Sequence, residues 1–304
     1  MNVFTRNHGT SYRQQLPLTM EQLRQRVPSA FAMSAHSSRS DKFAYIRTVD
    51  VIEGMVKEGL QPYSAVQGGS RIAGKAEFTK HMIKFRPQGS AVPMILGDTL
   101  TEVVLINAHD GTSAYQLSQG VFRLVCLNGM MKSVGDGDSI RIPHKGNIID
   151  QVIEGSNRIL SNSGNVAVTI ENWNALQLSA GEQDAFAEAA HTLRFGVPDG
   201  DGGIKVDTPI TAAQLLMPRR SEDRQSNGSN WNRPANDLWR TLNVVQENSI
   251  KGGLSARAPR TEEGRGRMTT THAIRGIDQD VKLNRALWQL AERMAELKGV
   301  RVAA

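Results

Sequence analysis

The sequence contains 304 residues, of which 39% are hydrophobic and 5% aromatic, so it is long enough to bury a large core in one domain or two. It has no run of about 18 apolar residues, and we therefore expect no membrane-spanning helix. The first residues, MNVFTRNHGTSYRQQ, lack the apolar core of a signal peptide, and the single cysteine, Cys126, cannot form an internal disulfide. These features predict a cytoplasmic protein with no membrane contact.

The charge balance favours a polyanionic partner. The formal net charge is +6 and the pI is about 9.6, and nucleic acid is the most frequent partner of a basic protein. The excess is concentrated in one segment, since residues 219–275 contain 11 Lys and Arg but only 6 Asp and Glu. That segment is under a fifth of the chain and carries most of the net charge.

The N-terminal half predicts short helices and strands. Residues 1–30 are interpreted as a polar arm followed by a short helix, which Thr19 and Gln22 begin with a capping box. Residues 48–58 have the apolar period of a helix, and residues 63–66 have the composition of a strand. Together with the segments described next, residues 31–150 are predicted to form a β-rich core.

A strand predicted over residues 76–86, AEFTKHMIKFR, carries cations on one face. Side chains alternate along a strand, so Lys80, Lys84 and Arg86 point to one side, whereas His81 points to the apolar side and is interpreted as a core residue. The cations recur at intervals of about 7 Å, close to the spacing of phosphates along an extended single strand. The pattern favours contact with single-stranded DNA, although an ordinary solvated face has the same pattern.

The centre of the chain places a polar turn between two apolar runs. Residues 103–106 and 121–127 are predicted to be buried strands, and His109 and Asp110 lie in the turn. His109, Asp110 and the later His144 are candidates for catalysis. However, metal sites need three or four ligands and no spaced His and Cys cluster accompanies them, so neither a metal site nor a cofactor is predicted. The alternative is that His109 and Asp110 hydrogen-bond within the turn.

Three further cations near this region are candidates for phosphate contact. Arg123 lies inside an otherwise apolar strand, where a charge needs a rim position, a partner or a bound anion. Arg141 and Lys145 lie on either side of His144, just before Gly146. Such a grouping suits contact with a phosphate backbone, and an ordinary surface turn accounts for it equally well.

From residue 148 onward the sequence is mainly helical. Helices are predicted after residue 148, over 179–195 and 211–216, after Asn236 or Asp237, and over 278–297. In the last helix, residues 283, 287, 290, 294 and 297 form a heptad-like apolar seam that suits packing on the protein's own core or self-association. Residues 251–271 are interpreted as a mobile basic loop, in which Arg257, Arg265 and Arg267 would close over nucleic acid.

The predicted fold class is therefore α+β. A β-rich N-terminal half with an antiparallel sheet, residues 31–150, is expected to precede a mainly helical half, residues 151–304, that packs against it.

Several blocks of the sequence resemble one known family. They are SRSDKFAYI, FTKHMIKFR, NAHDGTSAYQL, GVFRLVCLNG, RIPHKGN, ENSIKGGL and RGIDQDVKLNRALW, in this order along nearly the whole chain. Together they resemble the uncharacterised family called domain of unknown function 932. The resemblance implies a protein of a mobile genetic element, typically a plasmid or prophage. It supplies no activity and no catalytic residue.

Three hypotheses follow for the function. The first is a non-enzymatic nucleic-acid-binding protein that anneals or protects single-stranded DNA, a role that a homo-oligomer would suit. Its proposed contacts are Lys80, Lys84, Arg86, Arg123, Arg141, Lys145, Arg257, Arg265 and Arg267. The second is a protein-interaction factor that docks its basic surface on a host protein and blocks a defence system. The third is a metal-dependent hydrolase or nuclease built around His109 and Asp110.

Overall fold

The computed structural model describes residues 16–37, 45–70, 72, 74–90, 99–123, 129–131, 140–143, 147–220, 223–224, 233–259 and 266–300. The chain divides into two units, residues 1–162 and 163–304. The predicted α+β class is confirmed, because an antiparallel sheet organises the first unit and helices dominate the second. Among the helices in these ranges, none is long and apolar enough to cross a bilayer.

Six antiparallel strands form the sheet of the first unit. They are β1 (Leu60–Gln67), β2 (His81–Pro87), β3 (Thr99–Asn107), β4 (Tyr115–Arg123), β5 (Gly129–Met131) and β6 (Ile140–Ile142). The order is β1–β2–β3–β4, and both β5 and β6 pair with β4. β2 therefore lies between β1 and β3, and it is buried on both faces from His81 to Arg86.

Three helices pack with this sheet around one hydrophobic core. They are α1 (Met20–Arg26), α2 (Thr48–Lys57) and α3 (Ile148–Ser161). α1 begins with the predicted capping box of Thr19 and Gln22. α3 packs on β3, β4 and β6, so the boundary between the units lies after this helix and not at residue 150. Gly155 permits that contact, because a Cβ there would lie 2.8 Å from Leu117 Cδ1.

Five helices build most of the second unit. They are α4 (Ser163–Ala175), α5 (Ala180–Phe195), α6 (Ala212–Leu215), α7 (Leu238–Lys251) and α8 (Ile277–Leu297). Trp173 of α4, Trp239 of α7 and Trp288 of α8 are all buried, and their ring centroids lie 4.6 to 6.3 Å apart. These three large rings fix where the three helices meet.

α8 occupies the predicted range, but its buried face differs from the predicted seam. Leu283 and Leu287 are buried, whereas Leu297 is 84% exposed. The buried positions of the helix are Ile277, Val281, Leu283, Asn284, Leu287, Trp288, Ala291 and Ala295. The seam therefore continues through two alanines in the last turns, where the sequence pattern had favoured the larger leucine and methionine side chains.

Two short antiparallel ribbons belong to the second unit, in segments that the sequence predicts as loops. β7 (Gly196–Pro198) pairs with β8 (Ile204–Val206), and β9 (Ser255–Arg257) pairs with β10 (Met268–Thr270). The segment 251–271, predicted as a mobile basic loop, contains regular structure in its described residues, since Lys251 ends α7 and β9 and β10 form a ladder. Strands of three residues are too short to produce a recognisable alternation in the sequence.

Candidate functional site

A buried polar cluster lies where β2, β3 and β4 meet the first turn of α2. His81 of β2 and Asn107 of β3 are cross-strand partners, Tyr115 begins β4, and Thr48 is the first residue of α2. We call this cluster the polar hub. Its members are Ser29, Thr48, His81, Asn107, His109 and Tyr115, and each of them is 0% exposed.

The hydroxyl of Thr48 is the centre of the polar hub. Thr48 Oγ1 lies 3.0 Å from His81 Nε2, from His109 Nε2 and from Asn107 Nδ2, and 3.3 Å from the Tyr115 hydroxyl. A hydroxyl has one hydrogen to donate and two lone pairs, so these four neighbours cannot all bond to it at once. Tyr115 has another partner, since its hydroxyl donates to the Ile46 carbonyl at 3.1 Å.

The hydrogen positions in the hub follow from the neutrality of His81. Burial, with a smaller contribution from His109, lowers the pKa of His81 from its ordinary 6.5 to about 3. Nδ1 of this neutral ring lies 3.3 Å from the Thr79 carbonyl oxygen, which can only accept, and 2.9 Å from Ser29 Oγ, so Nδ1 carries the hydrogen. His81 Nε2 then accepts the Thr48 hydroxyl hydrogen, and Thr48 Oγ1 accepts from His109 Nε2 and Asn107 Nδ2.

The hub pairs a hydroxyl, that of Thr48, with an imidazole that accepts its hydrogen, which is the pairing that activates a nucleophile. Thr48, Ser29 and His81 are all 0% exposed, however, so no substrate reaches their polar atoms in this conformation. A groove of about 390 Å³ lies at the surface between α1, α2 and β1, and none of the hub residues lines it. Within the described ranges, no group of three or more His, Cys, Asp or Glu could hold a metal ion. The hydrogen bonds of the hub join the first residue of α2 to the sheet in the interior of the first unit.

Among the described residues, two of the catalytic candidates, His109 and Asp110, have different environments. His109 turns into the hub, whereas the Asp110 carboxylate closes the turn after β3: its Oδ1 accepts hydrogen bonds from the Thr112 amide at 3.0 Å and the Thr112 hydroxyl at 2.6 Å. Gly111 supplies the positive φ of 77° that this turn requires. His144 lies outside the described residues. Asp110 thus has the turn-closing role that the sequence offered as the alternative to catalysis.

The basic face predicted for β2 is buried, so the prediction of a solvent-facing stripe is wrong. Lys84 is 9% exposed and Arg86 is 5% exposed. Arg86 Nη2 lies 2.9 Å from Glu102 Oε1 on β3, and its guanidinium lies 4.5 Å from the centre of the Tyr63 ring. Lys80, which precedes the strand, is partly exposed. Lys84 and Arg86 are therefore not available to contact phosphates, although their spacing along the strand resembles that of phosphates.

Of the remaining predicted contacts in the first unit, the structure describes the side chain of Arg141. Arg141 is exposed on β6, where it is the cross-strand partner of Gln116. Arg123 is the last residue of β4. The side chain of Arg123, and the whole of Lys145 and Arg265, lie outside the described residues.

Five cations of the basic segment 219–275 bond to carboxylate or amide oxygens of the second unit. They are Arg219, Arg220, Arg233, Arg240 and Lys251. The strongest anchor is Glu247, which is 3% exposed and accepts a hydrogen bond from Lys251 Nζ at 2.6 Å. Arg219 Nε donates to Asn248 Oδ1 at 2.7 Å beside it. The net charge of this segment therefore overstates the charge available to a partner.

Two other cations of this segment, on the ribbon formed by β9 and β10, are exposed to solvent. We call residues 255–258 and 267–270 the basic ribbon; Arg257 and Arg267 are both exposed on it. The ladder continues beyond the strands, since the Ala258 amide donates to the Arg267 carbonyl at 3.0 Å. Arg257 Nη1 donates to the Gly266 carbonyl at 2.9 Å, which orients the guanidinium near the ribbon's end.

Comparison with known proteins agrees with the resemblance seen in the sequence. A family model described as "Domain of unknown function (DUF932)" matches residues 35–288. The chain belongs to this family. It is similar to UPF0380 protein YafZ and UPF0380 protein YfjQ of Escherichia coli (strain K12), each 41% identical over 282 residues, which is 93% of this chain and 93% of the relative. No solved structure matches the chain.

The names of these relatives state no activity, so any function of this DUF932 chain has to be argued from its own residues. The family match includes the basic ribbon and every hub residue from Thr48 to Tyr115, whereas Ser29 precedes it.

Sequence reasoning missed most of the hub. It placed His81 in the core, correctly, but did not single out Thr48, Asn107 or Tyr115. The available signal was position, because each of these polar residues lies at the end of an apolar element: Thr48 opens a helix, and Asn107 closes a strand. Polar residues at such ends usually meet solvent, and only the pairing of the strands shows that these three meet one another.

Proposed function

We propose that this DUF932 chain binds nucleic acid and that the basic ribbon makes the phosphate contacts. The observation that carries the proposal is the exposure of Arg257 and Arg267 on one short ladder. Four other cations of the same segment are paired with carboxylates: Arg220, Arg233, Arg240 and Lys251. Exposed guanidinium groups bind phosphate oxygens and release the counterions condensed on the nucleic acid.

The sequence between the two strands adds no net charge. Residues 258–266, APRTEEGRG, contribute Arg260 and Arg265 together with Glu262 and Glu263. The two arginines of the basic ribbon therefore remain as a local excess of positive charge over the whole hairpin segment. Exposed cations of this kind suit binding to a phosphate backbone without chemistry on it.

The biological setting that we propose is DNA handling by a mobile genetic element. Support comes from the resemblance to a family typical of plasmids and prophages, and the proposal assigns this chain no catalytic step. Arg141 on β6 is a further exposed cation that is a candidate for phosphate contact. Lys84 and Arg86 are left out of the proposed contacts because they are buried.

A salt titration tests the proposal. Fluorescence anisotropy of labelled DNA oligonucleotides should show binding at about 50 mM salt that falls steeply by about 200 mM, because each phosphate contact releases counterions. The double variant Arg257→Ala/Arg267→Ala should weaken binding and flatten the dependence on salt. Arg293→Ala, which removes an exposed α8 cation paired with Glu296, is the matched control. Absence of binding at low salt, or affinity that ignores salt, contradicts the proposal.

The two alternative functions stay predictions. A factor that blocks a host defence protein would use the same exposed cations, and capture of a host partner from nuclease-treated lysate, lost in the Arg257→Ala/Arg267→Ala variant, would favour it. The hydrolase hypothesis gains no support in the described ranges, because His109 is buried and the Asp110 carboxylate closes a turn. Incubation of labelled DNA with divalent metal, followed by a search for cleaved product, tests it directly.

A further inference from the structure

The ribbon formed by β7 and β8 leaves one strand edge open. In the part of the chain that the structure describes, these two strands pair only with each other. The Asp199 amide donates to the Gly203 carbonyl at 3.2 Å, so these opposite residues form a hydrogen-bonded pair. Because such pairs alternate with non-hydrogen-bonded ones, Ile204 and Val206 turn their backbone N–H and C=O groups away from β7. The outer edge of β8, whose three residues are all exposed, therefore presents these groups to solvent.

The opposite edge of the ribbon is less able to accept a strand. Pro198 lies at a non-hydrogen-bonded position of β7, where a backbone N–H would point outward, and proline has none. Proline on an edge strand protects that edge against pairing with another chain. β8 has no proline and carries two exposed apolar side chains, Ile204 at 66% and Val206 at 36%. Of the two edges, that of β8 is the one suited to pair with a further strand.

The charges on either side of Val206 indicate which strand that is. Lys205 and Asp207 are both exposed, and neither takes part in an ion pair within the described ranges. In two antiparallel copies of this segment related by a two-fold axis at Val206, Lys205 of each copy lies opposite Asp207 of the other. The two valines then form a hydrogen-bonded pair. The charged residues form non-hydrogen-bonded pairs, in which side chains lie closer together.

We propose that two copies of this chain associate through the outer edges of β8, with a two-fold axis at Val206. The segment is complementary to itself, as an isologous dimer requires. An axis at Lys205 instead would bring two lysines face to face, so charge selects the register centred on Val206. The contact joins the two ribbons into one four-stranded antiparallel sheet and packs the two Val206 side chains side by side. It is short, so we expect a weak dimer that forms at high protein concentration.

The oligomeric state of the full-length chain tests this contact. Sedimentation equilibrium between about 1 µM and about 500 µM should show a monomer that converts to a dimer as the concentration rises. Lys205→Asp or Asp207→Lys places like charges opposite each other at both ends of the contact, and each should weaken association at least about tenfold. The double variant Lys205→Asp/Asp207→Lys restores opposite charges and should recover the parental association. Arg293→Asp, a charge reversal on the exposed face of α8, is the matched control and should leave association unchanged.

A mixture of the two single variants gives an independent check. The Lys205→Asp chain presents two carboxylates and the Asp207→Lys chain presents two ammonium groups, so an equimolar mixture should form a heterodimer although neither variant dimerises alone. Val206→Pro removes the outward N–H at the axis and should also weaken association. An unchanged thermal unfolding midpoint for each variant shows that it is folded.

Three outcomes overturn the inference. A parent chain that stays monomeric throughout this range leaves the edge of β8 to solvent or to a strand of another protein. Association that resists both single charge variants lies elsewhere on the chain. If both single variants dissociate but neither the double variant nor the mixture recovers the dimer, the pairing of Lys205 with Asp207 is wrong. None of these outcomes depends on nucleic-acid binding, because the assay contains the protein alone.

Discussion

The cations of β2 and those of the basic ribbon both lie on or beside β-strands, but their environments are opposite. Lys84 and Arg86 alternate with apolar residues on β2 and are buried, with Arg86 paired to Glu102. Arg257 and Arg267 lie on two strands of a ribbon and are exposed. Alternation of charge along a strand therefore indicates which side chains share a face, but not whether that face meets water.

The difference lies in the neighbouring strands. β2 lies between β1 and β3, and the cross-strand partner of Arg86 is Glu102, a buried carboxylate 16 positions later in the chain. Among the described strands β9 and β10 pair only with each other, and Ser255, Arg257, Met268 and Thr270 on one face of this ribbon are exposed. A cation in the middle of a sheet needs an internal counter-charge, whereas one on an isolated ribbon is left to solvent or to a ligand.

The largest expected effect in this comparison is on Arg86. Arg86→Ala leaves the buried Glu102 carboxylate without its guanidinium, and the free energy of unfolding should fall by about 3–5 kcal/mol. Chemical denaturation monitored by tryptophan fluorescence and circular dichroism measures this loss. The exposed Arg141→Ala on β6 is the matched control and should change stability by no more than about 0.5 kcal/mol.

A paired replacement separates lost charge pairing from lost packing at this site. Arg86→Met/Glu102→Met removes both charges and keeps similar volume, so it should recover most of the stability lost in Arg86→Ala. If Arg86→Ala instead leaves stability unchanged and reduces the affinity for DNA, then Arg86 contacts DNA as the ribbon cations are proposed to do, and its role is not structural.

The next effect is on the centre of the polar hub. Thr48→Val keeps the shape of the side chain but removes the hydroxyl that bonds His81, His109 and Asn107. Buried polar groups left without a partner cost about 1–3 kcal/mol each, and we expect a total loss of about 3 kcal/mol in the free energy of unfolding. Thr112→Val, which removes an exposed hydroxyl bonded to Asp110, should cost less than about 1 kcal/mol. Equal losses in the two variants would show that burial of the hub does not increase the cost of removing a hydroxyl.

His81 gives this buried region a dependence on pH that the ribbon lacks. Because its folded-state pKa is lowered from 6.5 to about 3, the unfolded chain takes up the proton first as the pH falls. The contribution of His81 to the free energy of unfolding is fully present above pH 6.5 and declines as the pH falls towards 3. At pH 5 the decline should be about 2 kcal/mol. Denaturant titrations at pH 7.5, 6.5 and 5.0 measure the decline.

A histidine substitution checks the origin of that decline. His81→Gln removes the titrating ring, so its stability should change less between pH 7.5 and pH 5.0 than that of the parent. His272→Gln, at an exposed histidine, should keep the parental dependence. If His81→Gln retains the full decline, another group causes it, and the neutral ring inferred at the centre of the hub loses its support.

The sequence predicted the parts of the fold that depend on local patterns. The capping boxes of Thr19 and Ser179 and the Asp237 cap of α7 begin the helices near the predicted positions. These signals involve residues three or four apart, so they survive without tertiary information.

The functional features were harder to predict because they depend on pairing between distant segments. Glu102 neutralises Arg86 only because β3 aligns with β2, and Thr48 meets Asn107 only because α2 packs over the end of β3. The basic ribbon needs the register of residues 255–258 with 267–270. A buried glutamate at the start of an apolar run such as TEVVLIN is the one local sign that a cation on a neighbouring strand is paired.

The smallest expected effect on stability is at the ribbon, where, unlike on β2, the arginines are exposed. Arg257→Ala and Arg267→Ala remove exposed guanidinium groups, of which Arg257 donates one hydrogen bond to a carbonyl on the opposite strand. Each should change the free energy of unfolding by no more than about 0.5 kcal/mol, while the affinity for DNA falls. Parallel denaturation and anisotropy measurements on the same preparations give both quantities. A loss above about 2 kcal/mol in the free energy of unfolding of either variant would show that the arginine has a structural role like that of Arg86, because removal of an exposed cation without such a role costs much less.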